Sequence, residues 1–195
     1  MTTNQTSDNS GNLVKARLMS DEAPEIEFMF NPTELVFERS IATKAGDATR
    51  TESKGIPKVS FSHIEACKLT INKIIIDTYE KGESVNEYIN KIKKAVEFVS
   101  GKERPPIYTF VWGGQRHLRR CFIDKITYKF TMFLPDGTPV RAVIDSLTLK
   151  ESDETEPSPV LQARIDAQQR EADNVTQRLN NPQPINKPIS TQKNS

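Results

Sequence analysis

Residues 116–150, RHLRRCFIDKITYKFTMFLPDGTPVRAVIDSLTLK, decide the fold. They read as two long antiparallel strands, Arg116–Leu134 and Pro139–Lys150. Leu134-Pro-Asp-Gly-Thr-Pro139 joins them, with Asp136-Gly137 at the turn. Glycine there supplies the positive φ that a tight hairpin turn needs. Ile126, Tyr128, Phe130 and Met132 alternate onto one face of the first strand. Val143, Asp145, Leu147 and Leu149 share a face of the second, with Asp145 as a polar exception. Two such strands are not stable alone and call for a larger sheet with a buried face.

Upstream, Pro105-Pro106 breaks the chain, Ile107–Trp112 (IYTFVW) reads as a strand, and Gly113-Gly114 as a tight turn or bulge. Phe61–Asp77 is a long β-rich stretch. Its run Ile74-Ile75-Ile76 suits a strand buried on both faces, or a bulge. Leu13–Ser20 and Leu35–Ser40 read as extended. Glu25–Phe30 places Ile26, Phe28 and Phe30 on one face, and Asn31-Pro32-Thr33-Glu34 forms a turn. Residues 42–58 (ATKAGDATRTESKGIPK) are small and polar and read as a long exposed loop. One helix interrupts the β pattern. Val85, Ile89, Ile92, Val96 and Val99 recur at helical spacing over Ser84–Val99, with Ser84 and Glu87 as a capping box and Gly101 after its end.

The 195 residues carry 27 Lys+Arg against 26 Asp+Glu, a formal charge of +1. That balance argues against nucleic-acid binding by bulk charge. Hydrophobic residues make up only 35%, but they are unevenly placed, and every aromatic lies between Phe28 and Phe133. Folding needs buried apolar surface to offset lost chain entropy. Residues 13–151 are therefore expected to fold, and 1–12 to form a disordered tail. No apolar run approaches the roughly 18 residues that span a bilayer. MTTNQTSDNSGN lacks the basic and apolar regions of a secretory signal. Two cysteines make no disulfide framework. The expectation is a soluble protein assembled in the cytoplasm.

Beyond Glu151 the chain turns acidic and proline-punctuated. Leu161, Ile165, Gln168, Ala172, Val175 and Leu179 then form a heptad-like stripe. Residues 152–195 read as a partly helical or disordered tail with a short helix over 160–180, whose apolar face suits docking. The fold class is mainly β, a sandwich or barrel with one flanking α-helix.

Chemistry-bearing motifs are few. There is no phosphate-binding loop, no H-E-x-x-H and no G-x-S-x-G. No catalytic residue and no cofactor are expected, and the chain does not read as an enzyme. His63, Cys67, His117 and Cys121 contain two H-x-x-x-C pairs, a zinc ligand set by residue type. On strands, however, residues i and i+4 stand about 13 Å apart, too far to share one ion. The bland reading is two free thiols and two ordinary histidines. Lys102, Arg104, Arg116, Arg119, Arg120, Lys125 and Lys129 interleave with Tyr108, Phe110, Trp112 and Phe122. Aromatics beside basic residues can bind single-stranded nucleic acid, which makes such a β module the alternative from another class. A solvated strand face or charged subunit interface is the simpler reading, and no nucleic acid is expected.

Three segments resemble those of one family. Phe28-Met-Phe-Asn-Pro-Thr-Glu34 resembles an F-x-F-N-P-T-E signature. Arg104-Pro-Pro-Ile-Tyr-Thr-Phe-Val-Trp-Gly113 resembles an R-P-P-x-x-x-F-x-W-G strand. Thr131–Ala142 followed by Leu147-Thr-Leu-Lys-Glu151 resembles an F-x-x-D-G-x-P-V-R-A…L-x-E segment. Together they look like the tube-type N-terminal domain of contractile injection systems, in the baseplate hub adaptors that usually carry a LysM module. The resemblance implies a structural role and a tail-tube fold. It implies a hexameric ring that joins the spike to the inner tube or tube initiator and supports baseplate and sheath, without membrane insertion by this chain. A stacking inner-tube or tube-initiator subunit is the alternative within the same machine. Phe28, Phe30, Asn31, Pro32, Glu34, Trp112, Arg116, Arg119, Arg120, Asp136, Gly137 and Arg141 are the interface candidates. The region after Glu151 departs from the family pattern, since it shows no LysM-like aromatic or G-D-T-L sequence.

Overall fold

In a computed structural model, which describes residues 13–50, 57–153 and 156–180, nine strands and two helices follow one another. In chain order these are β1 (Arg17–Met19), β2 (Ile26–Glu27), β3 (Val36–Glu38), β4 (Ile41–Arg50), β5 (Pro57–Ile64), β6 (Lys68–Asp77), α1 (Asn86–Lys94), β7 (Tyr108–Trp112), β8 (Gln115–Phe133), β9 (Pro139–Glu151) and α2 (Pro159–Asn180). Seven strands form one antiparallel sheet in the order β2-β1-β7-β8-β9-β6-β3, and β4 and β5 form a separate two-stranded ladder. The protein is mainly β, with two helices.

The β8–β9 hairpin is the spine of the sheet, with strands of 19 and 13 residues. Its turn closes as the Asp-Gly pair dictates. Gly137 has φ 86° and its N–H donates to the Leu134 carbonyl at 2.9 Å. The Asp136 carboxylate accepts the Thr138 N–H and hydroxyl, both at 2.9 Å. Gly113 and Gly114, with φ 59° and 75°, turn β7 into β8.

Strict alternation fails in β9. Val140, Ala142 and Ile144 point inward, and then Leu147 and Leu149. The grouping of Val143 and Asp145 with Leu147 is thus corrected. Thr127 pairs with Ser146 but Tyr128 with Ile144, so Asp145 is an extra residue that switches faces. Lys73, with φ 54°, marks the matching irregularity in β6, whose inward set steps from Leu69 and Ile71 to Ile74 and Ile76. Ile75 is left 41% exposed.

The helix expected over Ser84–Val99 is shorter, and its capping box does not form. The N-cap Val85 makes no side-chain cap. Ser84 Oγ accepts the Asn86 N–H at 3.2 Å, and the Val85 N–H donates to the Pro139 carbonyl. Val85, Ile89, Ile92 and Ala95 are buried against the sheet, whereas Val96 and Phe98 face outward. Helical geometry ends at Ala95. Gly101, at φ 77°, instead shapes the turn in which the Lys102 N–H donates to the Val99 carbonyl.

One core unites α1 with the concave side of the sheet, including Leu18, Phe28, Leu69, Ile71, Phe110 and Ile144. The sheet curls around it far enough for the Asp77 N–H at the end of β6 to reach Met29 Sδ, just past β2, at 3.2 Å. Closure stops there. The sheet is open, which corrects the barrel expectation: β2 and β3 are two and three residues long, too short to provide a closing ladder.

The opposite side of β1 and β7 carries α2. Leu18 and Phe110 belong to the main core, while their neighbours Met19 and Val111 pack with Leu161 and Ile165 of α2. That second layer is why Tyr108 to Val111 are all buried. The exposed loop expected over 42–58 is corrected too. Residues 41–50 and 57–64 are the paired strands β4 and β5, and 51–56 lie outside the described residues. The expected tails at 1–12 and 181–195 also lie outside them.

Candidate assembly surfaces

The Phe28–Glu34 segment is first a structural clip. Asn31 Oδ1 accepts the Ala16 N–H at 2.9 Å, and its Nδ2 donates to the Val14 carbonyl at 2.8 Å. A side-chain amide here replaces a strand partner for the chain entering β1. Phe28 is buried with its ring 6.0 Å from Phe110, and Pro32 is buried as well. Phe30 points outward, 51% exposed, over a cleft shared with Tyr79 and Arg141. Exposed Glu34 accepts a hydrogen bond from Asn72 Nδ2 at 3.2 Å. Arg141 binds Asp77 through Nε at 2.8 Å and Nη2 at 2.6 Å. The Tyr79 N–H and Arg141 hold the Asp77 carboxyl below its ordinary value. Asp136 and Gly137 sit at the tip of the long hairpin.

Much of the basic cluster is committed within the chain. Glu22 accepts two hydrogen bonds from Arg104, at 2.7 and 2.9 Å, one from Lys102, and one from the Ile107 N–H at 3.1 Å. Arg104 above all, with Lys102 and the Ile107 amide, holds its carboxyl down at about 2. Arg116 binds Gln162 and Asp166 of α2, and Arg120 lies 3.7 Å from Glu156. Lys129 pairs with Asp145 at 2.9 Å. Arg119 is exposed. Trp112 is half-buried against the main core, while Tyr108 and Phe110 are fully buried and offer no stacking face. Of the four interleaved aromatics, only Trp112 and Phe122 keep partial exposure.

The four zinc candidates are not brought together. His63 is exposed on β5 beside Ser62. Cys67 and Cys121 are buried thiols in the main core, where Cys121 Sγ donates to the Tyr108 carbonyl at 3.3 Å. Burial pushes the Cys121 thiol up to about 12. The His117 ring packs 5.6 Å from Phe110, and burial lowers its basicity. Among the described residues no three His, Cys, Asp or Glu side chains form a metal-binding group.

Two surfaces stand out that the sequence reading had not marked. The β4–β5 ladder makes no strand pairing with the main sheet. Its two strands are tied to each other at the base by the Glu65 N–H donating to the Ser40 carbonyl at 2.9 Å. Ile41, Phe61 and Ile64 on this arm are 58%, 74% and 78% exposed. The polar composition of 42–58 concealed it, although the flanking apolar residues were a signal. The second surface is a groove of about 480 Å³ beside β2, lined by Ile26, Phe28, Ile74 and Ile76 among others. Both are suited to contacts with other chains. Among the described residues no helix is long and apolar enough to cross a membrane.

A family model described as contractile injection system tube protein matches residues 12–158. No curated protein matches the chain. The matched span runs from before β1 to just before α2, which starts at Pro159.

Proposed function

The chain belongs to the contractile injection system tube protein family, and from that premise we propose that it is a hub or tube-initiation adaptor. In this reading its copies form a hexameric ring between the spike and the inner tube, as a scaffold without catalytic chemistry. The observation that carries it is α2. This helix begins where the family span ends and covers one side of β1 and β7. A repeating tube subunit meets copies of itself above and below, whereas an added helix fits a chain whose two axial neighbours differ. The exposed arm and the short edge strands β2 and β3 supply surfaces for contacts between copies.

The reading is tested by negative-stain imaging of particles from cells lacking the protein. Spikeless or tubeless particles are expected; intact, spike-bearing, full-length tubes would overturn it. The purified chain is expected to give single six-fold rings. Long stacked tubes would favour the alternative, a stacking inner-tube or tube-initiator subunit.

A further inference from the structure

One wall of the groove beside β2 is the segment Glu25–Met29, and α1 forms the opposite wall through Tyr88 and Lys91. The first wall is weakly built. β2 has two residues and meets β1 only at Arg17↔Glu27 and Leu18↔Ile26. Among the described residues no strand lies beyond it. Three further ties join this wall to the chain around β1. The Phe28 N–H donates to the Ala16 carbonyl at 3.0 Å, Lys15 Nζ donates to the Met29 carbonyl at 2.6 Å, and Arg17 binds Glu27 at 2.7 Å.

α2 grips both of these segments. Arg164 binds Glu25, which Arg17 also approaches at 3.5 Å. Gln168 Nε2 donates to the Lys15 carbonyl at 2.9 Å. The helix thus fixes Lys15 and Glu25 relative to each other, and through them the wall. Among the described residues it makes no hydrogen bond or ion pair with α1, the other wall.

The grip is light. Of the 22 residues of α2, only Leu161, Ile165, Gln168 and Ala172 are buried. Gln168 Oε1 is buried without a hydrogen-bond partner, so it gains one from water when the helix lifts. An element held by few apolar groups and an unmet polar one opens locally, at less cost than global unfolding.

We propose that α2 is a displaceable strap that sets the groove. Docked, it holds the Glu25–Met29 wall against β1; lifted, it lets that wall go. Coupling of this kind is reciprocal, so whatever lifts α2 loosens the wall, and whatever loosens the wall weakens α2. α2 begins after the family span ends, so the strap is an addition to the tube-type domain, whichever axial role the chain takes.

The test is hydrogen exchange on the full-length chain, with the Phe28 amide as reporter of the wall and residues 161–172 as reporter of the strap. The Arg116 side chain bonds only to α2, at Gln162 and Asp166, so R116A reaches the wall only through the helix. It is expected to speed exchange at Phe28 and in 161–172 by the same factor, about fivefold, with Ile144 and Leu147 unchanged. Ile165→Glu, which puts a charge into the α2 contact, should do the same more strongly. Lys15→Met cuts the tie to Met29 and leaves the Lys15 carbonyl in place. It is expected to speed 161–172 as well. Faster exchange in 161–172 with Phe28 unmoved would overturn the strap and make α2 a passive cover. A loosened wall in Lys15→Met with α2 unmoved would overturn it too. If R116A moves neither reporter, Ile165→Glu decides by the same comparison. Exchange that rises equally at Ile144 and Leu147 in Ile165→Glu would overturn it as well, because α2 would then belong to the global folding unit.

Discussion

Arg116 and Asp166 meet at 2.5 Å, Nη2 to Oδ1, and so tie the start of β8 to α2. This pair holds a helix that buries few apolar groups against the sheet, namely Leu161, Ile165 and Ala172. The side chains are 23% and 45% exposed, so solvent screening limits the pair to about 1 kcal/mol. R116A is expected to leave the sheet folded and to speed hydrogen exchange in residues 161–172 about fivefold. Unchanged exchange there would show that α2 is held without Arg116, by its apolar packing together with contacts such as Arg164 to Glu25 and Gln168 to the Lys15 carbonyl.

Gly114 faces α2 from the other side of the turn. A Cβ built there meets Ala172 Cβ at 3.1 Å, whereas nothing lies within 4 Å of one at Gly113. Both positions have positive φ, which costs an L-residue about 1–2 kcal/mol. Gly114→Ala is therefore expected to cost more than Gly113→Ala in chemical denaturation, and to be the one that loosens α2 in hydrogen exchange. Equal losses would mean that only backbone strain matters.

Asn31 is expected to be critical for folding rather than merely for contacts between chains. Asn31→Ala removes one donor and one acceptor and strands the Val14 carbonyl and Ala16 N–H. The loss should be about 2 kcal/mol, read from the denaturant midpoint. A variant with an unchanged midpoint but impaired assembly would assign Asn31 to an interface instead.

Glu22 sets an acid limit. Its folded value is about 2 against an ordinary 4.5. The stabilisation is thus full above about pH 4.5 and lost as the pH falls toward 2, because the unfolded chain takes up the proton first. In thermal melts across that range, the wild-type chain should lose its advantage over Glu22→Gln. A difference independent of pH would show that the carboxylate charge contributes nothing.

The thiols should be silent until the core opens. Cys67 and Cys121 are fully buried. Alkylation at pH 8 is expected to be negligible in the native protein and to reach two thiols per chain in denaturant. Rapid native labelling of Cys121 would mean that the β7–β8 core breathes.

Much of the main sheet was legible because its signals are local. Asp136-Gly137 and Gly113-Gly114 mark turns that need positive φ, and the Val85–Ile89–Ile92 stripe marks α1. The interface candidates were less legible. Phe28 and Asn31 are distinctive residues, but distinctiveness does not separate a core clip from an exposed contact. Arg116 looked like surface charge because its partner Asp166 lies 50 residues away.

By itself the sequence determined which segments extend, where the long hairpin turns, and which stretch near the C-terminus repeats at helical spacing. These follow from backbone freedom and side-chain periodicity over a few residues. Only the tertiary structure decided which faces those segments present. The extra residue Asp145 reverses the alternation of β9, and the irregular pairing of β4 with β5 puts Phe61 beside Ile64. It also decided that Met19 and Val111 meet Leu161 and Ile165, and that the sheet stays open between its edge strands β2 and β3. Each of these depends on pairing between distant segments, where one residue of register changes what is buried and what is offered to a neighbour.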